Sequence, residues 1–394
     1  MSILPIIPFS TLSKNKKHFN NLGRIGLHGY QSFTIPKDLH CIIYVFSHDF
    51  EIKKFLNDSY FQKNFVRNKN IYWLIDQSSE LPIIPYKTYD DFVNPPVICD
   101  MMRNLYRTDY VKNYNFIEYF HLDTLASSVL LFLKQKKQDY VYKKLENLTK
   151  KKFCSKKATF YNGKINPARI IALNYFSKHN LIEDCFYTFN DISIDISIDK
   201  LKDIFPVDKI KDQYSFNSLP EYLFETENLL KFQQTTKNKN FTQFICDTDH
   251  IFNSHLHIVI ETDCQRFKKD QNNFCHKNWV FLTEKTYKAL MSLQPFIIYG
   301  NKGSIQTLRN MGFDVFDDII DHSYDKLNES GEKLMLFLKE ANRLINLDHS
   351  DWLDFGATNF NRLYHNYNHF IKTSNAEFSQ SQNKLLEFLQ KTVV

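Results

Sequence analysis

Short runs of β-branched and aromatic residues alternate with stretches of helical spacing along most of this 394-residue chain, and this alternation constrains the fold most. "CIIYVFS", from Cys41, and "IYWLID", from Ile71, read as strands buried on both faces, each ending in polar residues. "ATFYN" (Ala158–Asn162), "CFYTF", "FTQFICD", "LHIVIET", "WVFLTEK" and "PFIIYG" continue the series. Strands separated by helices of ordinary length form βαβ units, so the chain is expected to be α/β with mostly parallel sheets.

A chain of this length ordinarily divides into domains. Helical spacing from Asp123 to about Lys144 gives way to "ENLTKKKFCSKK", Glu146 to Lys157, which predicts a boundary near residue 150. The expected organisation is an α/β domain over 1–150, a second over 151–345, and C-terminal helices over 346–394. Hydrophobic content of 43% and a charged fraction of 24% exclude wholesale disorder. The net charge of +6 suits a phosphorylated ligand, an anionic polymer or an anionic membrane surface. The densest basic run, Lys150, Lys151, Lys152, Lys156 and Lys157, reads as a solvated face or linker.

Seven cysteines without a Cys-x-x-Cys argue against a disulfide framework and a structural zinc site. The start, "MSILPIIPFS", lacks a basic n-region, and no apolar run approaches the roughly 20 residues of a membrane span. The expectation is a cytoplasmic protein, with peripheral contact at the inner face of the membrane left open. Phosphate-loop, nucleophile-elbow and Gly-x-Gly-x-x-Gly motifs are missing, as is any recognisable nucleic-acid-binding module.

Chemistry concentrates in "FLTEKTYKALMSLQPFIIYGNKGS", Phe281 to Ser304. A strand through Trp279 to Leu282 leads to Thr283 as N-cap, which puts Glu284 and Lys285 in the first helical turn. After the strand "PFIIYG", Ser304 reads as N-cap of "IQTLRNMG", with Gly312 just beyond that helix. Both turns open at the carboxyl edge of a sheet, where α/β proteins bind ligands. A helix N-terminus attracts phosphate, and Lys285 adds a point charge for a diphosphate. Glu284 can accept hydrogen bonds from vicinal hydroxyls. The same spacing also fits an ordinary N-terminal glutamate and a surface lysine. Asp247 and Asp249, in "FICDTDH", form an Asp-x-Asp of the kind that holds Mg²⁺ or Mn²⁺, although this pattern is common in loops. His255, His257 and Glu261 share one strand face, for which ordinary packing is expected.

"FLTEKTYKALMSLQPFIIYG" resembles the donor-binding segment of fucosyltransferase-like glycosyltransferases of the two-Rossmann, GT-B type. "GSIQTLRNMGFDVFDDIIDHSYD" is similar to a pattern of phage and bacterial glycosyltransferase-like proteins, and "FYNGKINPARIIALNYFSKHNLIE" to the start of their donor domain. The resemblance implies two Rossmann-like domains, the first on the acceptor side and the second binding a nucleotide-sugar. It implies that Glu284 contacts ribose, Lys285 and Arg169 the diphosphate, and Glu261 the donor hydroxyls or the basic side chains. Thr283, Asn162 and Gly163 fall within the matching segments. The family's Pro-His-Arg is Pro-Ala-Arg here, with Ala168 in place of the histidine.

For an inverting transfer the resemblance implies a carboxylate base in the first domain, which points to Asp76 in "IYWLIDQSSELP", with His48 and Asp49 as runners-up. No metal or other cofactor is expected. The acceptor is expected to be a surface saccharide or lipopolysaccharide, with a DNA base as the alternative and a catalytically inactive nucleotide-binding module of the same fold as another.

Overall fold

A computed structural model describes residues 6–8, 41–46, 71–77, 97–100, 103–104, 115–118, 140–162, 166–189, 206–225, 250, 252–261, 279–280, 282–328 and 331–391. The chain forms two compact units, one of residues 1–126, 270–276 and 373–394, the other of residues 127–269 and 277–372.

The first unit carries β1 (Ile6–Pro8), β2 (Cys41–Phe46), β3 (Ile71–Gln77), β4 (Val97–Asp100), β5 (Arg103–Asn104) and β6 (Asn115–Glu118). Its five-stranded sheet is parallel throughout, in the order β1-β2-β3-β4-β6. Trp73 and Leu74 of the central β3 are buried, as an apolar run covered on both faces requires.

The second unit is built on β7 (Ala158–Asn162), β8 (Cys185–Phe189), β9 (Leu256–Ile260) and β11 (Phe296–Tyr299), with the two-residue β10 (Trp279–Val280) between the last two in sequence. Its four-stranded sheet is also parallel, in the order β11-β9-β7-β8. The chain leaves β7 for β8 on one side and returns to the other side of β7 for β9 and β11. That reversal makes the carboxyl ends of β7 and β9 a topological switch point, the position at which α/β sheets bind ligands. "FTQFICD", with Asp247 and Asp249, lies outside the described residues.

The α-helices among the described residues are α1 (Tyr140–Thr149), α2 (Pro167–Lys178), α3 (Val207–Tyr214), α4 (Glu284–Met291), α5 (Ser304–Asn310), α6 (Gly331–Ile345), α7 (His349–Thr358) and α8 (Phe360–Lys391). None in the described residues is long and apolar enough to cross a membrane. Strand alternation puts Phe160 and Tyr299 on one sheet face, where they meet Phe176 of α2 and Phe337 of α6 at 5.4 Å between ring centroids. Phe296, on the opposite face, meets Phe316 at 5.8 Å.

Helix α1 extends only to Thr149, four residues into the stretch where the sequence pattern breaks, and buries Lys144 and Leu148. Burial lowers the pKa of Lys144 to about 8, and its Nζ donates to the Ser254 carbonyl at 3.3 Å. Arg362 of α8 bonds the carboxylates of both Asp314 and Asp318 and lies 5.1 Å from the Phe316 ring, fastening α8 to the loop after α5.

Four helices end alike. At α1, α2, α3 and α5, a six-to-one hydrogen bond closes the last turn: Lys152 N to Asn147 O, Leu181 N to Phe176 O, Phe216 N to Lys211 O and Phe313 N to Leu308 O. The residue before each donor is left-handed: Lys151 (φ 45°), Asn180 (55°), Ser215 (56°) and Gly312 (87°). Only Gly312 is glycine, the residue that adopts this conformation without strain. Helix α4 likewise exits through left-handed Leu293 (φ 52°), whose buried side chain packs with Phe252.

Several histidines are held neutral by burial. His255 is pushed down to about 3 by desolvation, with Lys144 and His349 adding to it, and its Nε2 lies 2.9 Å from His349 Nδ1. His257 is pushed to about 3 by desolvation, then Lys288, and desolvation also lowers His322. Unfolded histidines take a proton below about pH 6.5 while these do not, so the unfolded chain binds more protons. Stability therefore falls as pH drops from about 6.5 toward 3. Urea titrations at pH 7.5 and 5.5 should show a lower midpoint at the acid value, and His257→Phe should shrink the difference. That variant also removes an Nδ1 that is buried without a hydrogen-bond partner. An unchanged midpoint in the wild type would show that these sites are not linked to folding.

Candidate functional site

Glu261 follows β9 directly, at the carboxyl edge beside the chain reversal, and is fully buried. Its Oε1 accepts from the Thr283 N–H at 2.8 Å and the Thr286 hydroxyl at 2.6 Å, while its Oε2 accepts from the Thr283 hydroxyl. The carboxylate thus grips the N-terminus of α4 through three donors. Thr283 is the N-cap, and its hydroxyl oxygen also accepts from the Lys285 N–H at 3.4 Å. Lys285, half-buried in the first turn, places its Nζ 3.3 Å from the same oxygen. Glu284 is the first residue of α4.

Arg169, in the first turn of α2, is fully buried, and its Nε and Nη2 donate to the Ile260 carbonyl at 3.2 and 2.8 Å. The guanidinium therefore holds the peptide that precedes Glu261. Asn162 ends β7, buried, its N–H donating to Thr188 Oγ1 at 3.2 Å. Arg169, Glu261, Thr283 and Lys285 thus form one chain of contacts at the β9 edge, with Asn162 at the end of the neighbouring strand.

The second strand-to-helix turn differs from the sequence expectation. Gly303, at φ 81°, is the N-cap of α5, and Ser304 is its first helical residue, with Oγ donating to Asn301 O at 2.7 Å. The first-turn amide of Gln306 already donates to Asp325 Oδ2 at 3.1 Å, so this helix end carries its own anion. Gly300 lies between the two turns. A Cβ there would sit 2.5 Å from Ser304 Oγ and 3.7 Å from Glu261 Cγ.

Sequence reasoning missed Thr286, Gly300, Asp325 and Lys333. Thr286 carries a signal, since it lies one turn beyond Thr283 on the same side of α4. Lys333 carries none: fully buried, it donates from Nζ to the Gly300 carbonyl at 2.7 Å and lies 5.5 Å from the Tyr299 ring centroid. A cleft of about 510 Å³ lies in the same unit, lined in part by Arg309, Asp317, His322 and Arg343. Its arginines are bonded to carboxylates, Arg309 to Asp317 and Arg343 to Glu340.

Asp76 is the penultimate residue of β3, in register with Phe46 and Cys99. His48, Asp49 and Gly163 lie outside the described residues. His255 and His257 take the packing role expected of them, His257 edge-on to Tyr161 at 5.5 Å. Comparisons of the chain with protein-family models, curated proteins and solved structures found no match.

Replacing Thr286 by valine removes one donor to Glu261 at constant shape and should cost about 1–2 kcal/mol of folding stability. Glu261→Ala leaves three donors without their acceptor and should cost on the order of 3 kcal/mol. Urea unfolding of the two variants checks this; a loss for Glu261→Ala no larger than for Thr286→Val would show that the carboxylate does not organise the edge.

Proposed function

We propose that the chain is a glycosyltransferase, moving a sugar from a nucleotide-sugar to a hydroxyl acceptor, with the donor bound at the carboxyl edge of the second unit's sheet. The observation that carries this reading is the N-terminus of α4, set by Glu261 at the end of β9 and bearing Lys285 in its first turn. A helix N-terminus and an ammonium group together stabilise a diphosphate, both in the bound donor and as the leaving group. Glu284, beside Lys285, is assigned the ribose hydroxyls. Arg169, with two of its donors on the Ile260 carbonyl, acts as a brace for the edge.

The division into two compact units, each with a parallel sheet, is the observation in favour of a GT-B-type arrangement of two Rossmann-like domains. In an inverting transfer, a base in the first unit removes the proton of the acceptor hydroxyl as its oxygen attacks the anomeric carbon and the nucleoside diphosphate departs. Asp76, at the carboxyl end of the central strand β3, is assigned that role, with a surface saccharide or lipopolysaccharide as acceptor. The reading calls for no metal, because Lys285 and the helix end neutralise the leaving group.

Thermal melts with UDP, GDP, CMP, dTDP and ADP, with and without Mg²⁺, test the donor site. One nucleotide should raise the melting temperature of wild type without metal, and Lys285→Ala should weaken nucleoside diphosphate binding much more than nucleoside binding. Equal losses for both ligands would sink the phosphate assignment, and no stabilisation by any nucleotide would remove the donor site itself. With the sugar donor identified, Asp76→Asn should abolish most transfer while nucleotide binding survives; retained transfer would exclude Asp76 as the base.

A further inference from the structure

One of the four matching helix ends departs from the others in the residue just beyond its left-handed position. At α2, α3 and α5 that residue is apolar and buried: Leu181 at 3%, Phe216 at 0% and Phe313 at 4% exposure. A buried apolar residue at this point ordinarily anchors the cap. At α1 the corresponding residue is Lys152, which is exposed, and the apolar residue comes one position later, as Phe153 at 72% exposure. Tyr142, on the same helix, is 70% exposed. In the same segment Lys143, Lys150, Lys151 and Lys152 are exposed and Lys156 and Lys157 are half-buried, while the neighbouring helix α7 and its N-cap carry exposed Asp348, Asp351 and Asp354. Lys150 pairs with Glu146 and Lys151 with Asp354, yet both ammonium side chains remain 62% exposed.

We propose that this turn docks on an anionic lipid bilayer, with Phe153 entering the boundary between headgroups and acyl chains and the lysines at the level of the phosphates. Moving the exposed Phe153 ring from water into an apolar phase is favourable. Lysines beside it lay their stems along the apolar boundary and keep their ammonium groups among anionic headgroups. Lys150 to Phe153 are four consecutive exposed residues about the left-handed Lys151. Single-stranded nucleic acid is instead bound in a basic groove with stacking platforms. The Phe153 ring rests 4.5 Å from the His349 ring, so the turn is held in place before it meets the surface. Docking by this turn is independent of sugar transfer: the turn shares no residue with the β9 edge, and the nucleotide melts read only the latter.

Vesicle co-sedimentation of the full chain tests it, with phosphatidylcholine alone and with phosphatidylcholine containing phosphatidylglycerol. The chain should pellet with the anionic vesicles only, and less so at high salt. Phe153→Ser should lower partitioning about tenfold. Lys150→Gln with Lys152→Gln should lower it about twenty-fivefold, at roughly fivefold per lysine. The equally charged change at exposed Lys339 and Lys372, both to Gln, should lower it far less. Phe153→Trp should add blue-shifted emission with anionic vesicles. Thermal melts establish that each variant is folded. Failure to pellet with anionic vesicles, equal losses in the two lysine pairs, or no emission change in Phe153→Trp would each overturn the proposal. So would Phe153-dependent binding of single-stranded DNA without vesicle binding.

Discussion

The Glu261 carboxylate, buried at the end of β9, is the interaction on which the carboxyl edge of the second unit depends. Its three donors come from the backbone and hydroxyl of Thr283 and the hydroxyl of Thr286, so strand end and helix start form one unit. A buried carboxylate is tolerable only with such compensation, since an unpaired charge in a core is far more costly than a missing contact. The neighbouring constraints arise from it. Gly300 has to be glycine because a side chain there would press on Ser304 and approach Glu261. Arg169 holds the carbonyl one residue before Glu261, which fixes where the carboxylate starts. The first turn of α4 is therefore set by the interior of the protein rather than by a ligand, which is the preorganisation an electrostatic site requires.

The two strand-to-helix turns that look equivalent in the sequence are electrostatically different. At α5 the first-turn amide of Gln306 is taken by Asp325, whose own carbonyl also accepts from Gly303 N–H. A helix end that already holds a carboxylate has little left for an external anion. At α4 the Glu261 carboxylate takes the N-cap amide and two hydroxyls, and the Nζ of Lys285 lies 3.3 Å from the Thr283 hydroxyl, so this helix start carries a lysine as well as a carboxylate. Buried Lys333 adds a hydrogen bond to the Gly300 carbonyl between the turns.

Strands β7, β8, β9 and β11, the Thr283 cap and the left-handed Gly312 were legible in the sequence because each rests on residues close together in the chain. The grip of Glu261 on α4 was not, because its partners lie 22 and 25 residues away and no local pattern links them. The placement of β9 beside β7, with β11 beyond it, rather than on the far side of β8 is equally invisible, since parallel crossovers leave no mark of strand order. Ser304 fits an N-cap by composition, but left-handed Gly303 takes that position and moves the helix start by one residue. Buried Lys333 looks like any solvent-facing lysine in a first helical turn; its burial depends on the sheet above it.

The helix ends have a consequence for how composition enters stability. The chain has nine glycines in 394 residues, and three of the four six-to-one caps among the described residues use Lys151, Asn180 and Ser215 where glycine is the unstrained choice. Side chains in that conformation are disfavoured by up to about 1–2 kcal/mol each, asparagine least. A chain-wide shortage of one residue type is thus converted into conformational strain at specific turns. The same backbone drawn from a glycine-richer pool would hold those turns more firmly with no new contact anywhere. Amino-acid supply, and not packing alone, sets part of the margin by which this fold exceeds its unfolded state.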